Sequence, residues 1–136
     1  MMVVGLGARQ SATPEELEEI ILAVLKEQYF DIDNLTLIAS IDRADTARAI
    51  SQVAAKLMKP MVLYPVDRLR EEADRCQTNS PISMEKTGVG SVAEASALAA
   101  LSEDAVLVAP RIKHATATAA LAIVIPTNDP DRGLLQ

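Results

Sequence analysis

Leu35-Thr36-Leu37-Ile38-Ala39-Ser40-Ile41 is an almost unbroken apolar run, with Thr36, Ile38 and Ile41 branched at Cβ. A run of this kind suits a strand buried on both faces, and such strands occur where pairing is parallel and helices cover the sheet. The flanks agree. Upstream, Thr13-Pro14-Glu15-Glu16 places an N-cap threonine, a proline at the first helical position and a glutamate at the third, the pattern of a capping box. Leu17, Ile20, Ile21, Val24 and Leu25 then repeat on one helical face, while Glu15, Glu18, Glu19 and Lys26 fall elsewhere. Downstream, the polar residues 42–45 lead to Ile50, Val53, Ala54 and Leu57, a second helical face that closes at Lys59-Pro60. Strand alternates with helix at connection lengths too long for hairpins. The expected fold is therefore α/β, a three-layer α/β/α sandwich with a mainly parallel central sheet of about five strands.

Residues 2–6 read as the first strand, running into Gly5 and Gly7, and residues 61–64 as the third. Residues 66–76 form a short charged helix, and 77–86 a polar connection without periodicity. Ser91 with Glu94 repeats the capping-box pattern before an alanine-rich helix to about Leu101. Strands are expected at 105–108 and 118–125, joined by a basic link over 109–116 and able to pair either way. The 136 residues suffice for one domain, placed at 1–126 with a loose tail over 127–136.

Composition narrows the function. Thirteen basic against nineteen acidic residues leave a net charge of −6, the wrong sign for a nucleic-acid or anionic-membrane binder. Two Tyr, one Phe and no Trp leave few bases for stacking on single strands. No apolar stretch reaches the roughly 18–20 residues of a membrane span, and no basic stretch precedes the first apolar run, so a cytoplasmic protein is expected. One Cys and one His cannot make a structural zinc site, and neither a metal nor a resident cofactor is expected. Cys76 reads as an inert thiol.

In such sheets ligands collect beyond the carboxyl ends of the strands, so the loops there are the places to search. Gly5-Leu6-Gly7 does not extend to a dinucleotide fingerprint, because the third glycine falls on Gln10, and the chain has no GKS or GKT tripeptide. Arg9 in that loop is better suited to grip a carboxylate through two parallel hydrogen bonds. Thr87-Gly88-Val89-Gly90-Ser91 offers backbone amides ahead of a helix, against the simpler reading of a turn. Arg111, Lys113 and His114 follow a buried strand and carry positive charge to the same edge. His114 and Asp42 are candidate general acid–base groups, although an exposed histidine and a loop carboxylate account for them equally well. Positive groups converging from separate loops point to an anionic ligand.

These motifs also carry a resemblance. Gly5-Leu6-Gly7-Ala8-Arg9, Ala39-Ser40-Ile41-Asp42, Thr87-Gly88-Val89-Gly90-Ser91-Val92-Ala93-Glu94-Ala95 and Leu107-Val108-Ala109-Pro110-Arg111 with Lys113 resemble the CobE family, equivalently the C-terminal domain of CbiG. The similarity runs over residues 2–125. The resemblance implies a compact α/β fold and a role in cobalamin biosynthesis, with precorrin-type intermediates bearing acetate and propionate carboxylates as ligands. It places Gly5, Gly7 and Arg9 on one rim of the site, Thr87, Gly88 and Ser91 on another and Lys113 on a third. Gly90 and Arg111 join them from the reading above. Ala8 stands where many members carry Cys, so thiol chemistry is ruled out there. The first expectation is a protein that binds and handles such a ring, with other enzymes of the pathway as possible partners. The alternatives are hydrolysis of the cobalt-precorrin-5A lactone with acetaldehyde release, by Asp42 or His114, and an accessory module of such an enzyme.

Overall fold

The computed structural model describes residues 1–124. The tail expected over 127–136 lies outside the described residues. The strands are β1 (Met2–Ala8), β2 (Leu37–Ile41), β3 (Met61–Tyr64), β4 (Val106–His114) and β5 (Ala117–Ile123). The helices are α1 (Pro14–Glu27), α2 (Ala44–Leu57), α3 (Val66–Arg70), α4 (Pro81–Thr87) and α5 (Val92–Ala99). All five strands form one sheet in the order β3-β2-β1-β5-β4.

The α/β expectation holds, and one part of it is corrected: the sheet is mixed rather than mainly parallel. β1 pairs parallel with β2, and β2 with β3, whereas β1 with β5 and β5 with β4 are antiparallel. The cause is the connection between the last two strands. Residues 109–116, expected as a link, belong mostly to β4, which continues to His114, and only Ala115 and Thr116 separate it from β5. Two residues make a hairpin and cannot make a crossover, and Ala115 takes φ 42° to close it. β4 tolerates Pro110 because it is an edge strand, and its register slips between Leu107 and Ala109 and again between Ala109 and Ile112.

Alternate residues of β1 feed different clusters, as a pleated strand dictates. Val4 and Leu6 pack with Leu17, Ile20, Ile21 and Val24 of α1 and with Ile50 and Val53 of α2. Val3 packs with Ala39, Ala122, Ala97 and Leu98. Each fully buried Leu, Ile or Val contributes about 1.5–3 kcal/mol against leaving it exposed. The α1 start is built as its sequence indicates: Thr13 Oγ1 accepts from Glu16 N at 3.1 Å, and Glu16 Oε1 accepts from Thr13 N at 3.0 Å. The Thr13 amide does most to hold the Glu16 carboxyl below its ordinary pKa.

The small residues of α5 let it lie directly on β1. A Cβ added to Gly5 would stand 1.8 Å from the carbonyl oxygen of Ala93 and 2.7 Å from the amide nitrogen of Ala97. Gly5 and Gly7 thus lie inside a strand rather than in the loop that follows it.

Candidate functional site

β1, β4 and β5 bring their loop ends together beyond the carboxyl end of β1, where the sheet changes from parallel to antiparallel pairing. A cleft of about 860 Å³ opens there, within the range of small-molecule sites. Its lining includes Gly7, Arg9, Thr87, Arg111 and Lys113 from the sequence-derived set. Arg9 is set by β1 pairing that runs one residue past the strand, its amide donating to Thr116 O at 2.8 Å. Arg111 and Lys113 extend from β4, and Thr118 of β5 faces Gly7 across the floor.

Two further cations line the cleft. Lys86 comes from α4, which occupies part of the expected polar connection over 77–86; seven residues are too few to show a helical period. Arg43 stands at the N-cap of α2 and is bound to Asp45 at 2.7 Å. Asp45 is, among the described residues, the only carboxylate in the lining. Among the described residues, the side chains of Arg9, Lys86, Arg111 and Lys113 make no ion pair or hydrogen bond with protein. Four uncompensated positive groups therefore face one cleft in a chain whose net charge is −6.

The other expected site residues lie elsewhere. Gly88 caps α4 in the left-handed region (φ 81°), and its amide donates to Met84 O at 3.0 Å. A Cβ on Gly90 would meet Thr78 O at 2.1 Å, so that glycine is a packing requirement. Ser91 is buried and caps α5, its Oγ accepting from Glu94 N at 3.1 Å. Gly5 sits beneath α5. Asp42 is exposed and lines an adjoining hollow with Pro65, Arg70 and Lys86. His114 is exposed at the end of β4 and does not line the cleft. The structure does not bring Asp42, His114 and the amides of Gly88 and Gly90 together.

Glu94 is the residue that sequence reasoning assigned otherwise. The Ser91–Glu94 pair makes only half of a capping box, because the Glu94 carboxylate turns inward and is fully buried. Its oxygens accept from Gln77 N at 2.6 Å, Thr78 N at 3.0 Å, the Thr78 hydroxyl, and Arg111 N at 2.9 Å. Burial pushes its pKa up, but these donors outweigh burial and hold it below the usual carboxylate value. The Arg111 amide is free for this bond because the β4 register slips between Ala109 and Ile112. Glu94 thus ties α5 to the segment entering α4 and to the bulge that carries Arg111. Cys76 is no nucleophile: burial, followed by the Glu94 charge, pushes its thiol up to about 11.

Among the described residues no helix is long and apolar enough to cross a membrane, and no group of His, Cys, Asp and Glu could hold a metal ion.

Comparison with known proteins joins this geometry to a family. The family model described as cobalamin synthesis G C-terminus matches residues 2–122. Protein CobE of Sinorhizobium sp is 34% identical over 121 residues, covering 89% of this chain and 79% of that protein. The crystal structure of CobE, a protein from the cobalamin biosynthetic pathway, superposes with a TM-score of 0.87 at 26% identity, covering 94% of this chain and 93% of the other. Cobalamin biosynthesis protein chiG from Agrobacterium tumefaciens superposes at 0.74 with 26% identity, covering 93% and 100%. The chain therefore belongs to the family of CobE and the cobalamin synthesis G C-terminus, and is a protein of cobalamin biosynthesis.

Proposed function

We propose that the chain binds a polycarboxylate, precorrin-type tetrapyrrole intermediate in the basic cleft and holds it for other enzymes of the pathway. The observation that carries this reading is the convergence of Arg9, Lys86, Arg111 and Lys113, drawn from three separate segments, on one cleft. Among the described residues those side chains have no acidic partner, so a ligand's carboxylates would be their counter-charges. A flat ring fringed with acetates and propionates presents such groups around its rim. The cleft lining includes Gly7, Ala8, Ala115 and Ala117, whose side chains add little bulk.

A purified chain mixed with a corrin polycarboxylate at micromolar concentration is expected to co-elute with it and shift its absorption spectrum. Binding should weaken with added salt, because the attraction is screened, and by about tenfold in either Arg9→Ala or Lys113→Ala, the loss of one charge-assisted contact. Neither co-elution nor a spectral shift would overturn the reading.

The lactone-hydrolase alternative requires a base beside the ring; neither Asp42 nor His114 lines the cleft, and the carboxylate that does, Asp45, is engaged by Arg43. Incubation with the cobalt-precorrin-5A lactone is accordingly expected to release no acetaldehyde. Release that disappears in Asp42→Asn or His114→Ala would favour the hydrolase.

A further inference from the structure

We infer that the cleft reads the ionisation state of the ring's side arms: it holds the free acids and lets go of the same ring once those acids have become amides or esters. The inference rests on the proposed ring-binding reading and specifies which chemical form of the ring the site accepts. It follows from what the cleft offers. Lysine and arginine side chains are donors only, with no acceptor among them. Four such groups line the cleft unpaired, and the fifth cation, Arg43, is already matched by Asp45 at 2.7 Å. Among the described residues, Asp45 is also the only carboxylate of the lining that could accept from an amide NH₂. The hydroxyl-bearing residues of the lining, Ser11, Ser80, Ser83, Thr87, Thr116 and Thr118, and the Gln10 side-chain amide both donate and accept, and do not distinguish an acid from its amide.

A carboxylate brings two acceptor oxygens and a full negative charge to these groups. A primary amide brings one neutral acceptor, and none of the four unpaired cations can accept from its NH₂. Conversion leaves each cation facing a neutral oxygen, so every contact of this type keeps the donor's charge but loses the attraction between two opposite full charges. It also restores repulsion among four like charges that the carboxylates had been neutralising. Arg9 and Lys113 are exposed and their attraction is screened, which keeps the effect of each arm modest; discrimination arises because several arms change together.

The site therefore belongs ahead of a reaction that neutralises carboxylates, of which amide-forming ligation and esterification are the two classes. Such a reaction consumes the form that is bound and produces the form that leaves.

The test uses one corrin in two states, the heptacarboxylate cobyrinic acid and the same ring with its side-chain acids converted to primary amides, each titrated into the full chain by absorption and calorimetry. The acid is expected to bind at least about 100-fold more tightly than the amide, the combined loss of several attractions between opposite full charges. The preference should shrink in the double variant Lys86→Ala/Lys113→Ala, whose circular dichroism and melting temperature establish that it is folded. Equal affinity for the two states would overturn this inference while leaving ring binding intact. A tighter complex with the amide would also overturn it. Binding of neither would remove the ring-binding reading and this inference with it.

Discussion

Glu94→Gln is expected to lower stability by about 2–4 kcal/mol at neutral pH, because a buried donor left without an acceptor costs about 1–3 kcal/mol. The substitution keeps the shape and removes acceptors. Oε1 receives the amides of Gln77 and Thr78, while Oε2 receives the Thr78 hydroxyl and the Arg111 amide. With NH₂ in place of Oε1 the amides of Gln77 and Thr78 lose their acceptor; with NH₂ in place of Oε2 the Thr78 hydroxyl can turn to accept, but the Arg111 amide loses its acceptor and the other bonds lose the carboxylate charge. The pH dependence supplies a second check. Because the folded pKa lies below the ordinary glutamate value, Glu94 contributes stability that is fully present above about pH 4.3 and is lost as pH falls through the lower folded value. The gap between the native chain and the variant in urea denaturation should thus narrow on acidification below that pH. A gap that stays constant would show that the carboxylate charge is not what holds these donors.

Gly5→Ala is expected to cost about 2–4 kcal/mol, a large fraction of the 5–15 kcal/mol typical of a domain. Glycine inside a strand ordinarily costs stability, and alanine there would return about 0.5–1 kcal/mol. The clash is larger than that gain. A methyl 1.8 Å from the Ala93 carbonyl meets backbone, so relief requires moving α5 off β1. That displacement would carry Glu94 away from the Arg111 amide and weaken ring binding as well. Thermal melts and ligand titration on the same preparation measure both effects. An unchanged melting temperature would contradict the close packing of α5 on β1.

How far the sequence could be read varies by element. The residue run through Ile41 and the two helical faces beside it gave the α/β class, because both faces of a central strand must be apolar and each helix presents one apolar face. β4 was read only in its first half, expected at 105–108, and the rest was not legible for the opposite reason. It is an edge strand with Pro110 and two register slips, and it turns Arg111 and Lys113 toward the cleft, so it reads as a polar link. The mixed sheet follows from that same misreading. α4 is too short to declare itself, and Lys86 was missed with it. Arg43 was missed because an arginine at an N-cap has no signature. Glu94 shows the limit most clearly: an acid three residues after Ser91 satisfies the capping pattern equally well whether it turns back to the cap or inward. Only the positions of Thr78 and Arg111 decide which. Arg9, Arg111 and Lys113 could be brought together from sequence alone, because the sequence sets each beyond the start of a strand that ends at the same edge of the sheet, although Arg111 and Lys113 lie inside β4 rather than after it.

The cleft itself is most directly examined by a crystal structure of the chain with a corrin polycarboxylate. The ring's carboxylates are expected within hydrogen-bonding distance of Arg9, Lys86, Arg111 and Lys113, with its face over Gly7 and Ala117. A ring seated elsewhere, with those four side chains still unpaired, would contradict the account.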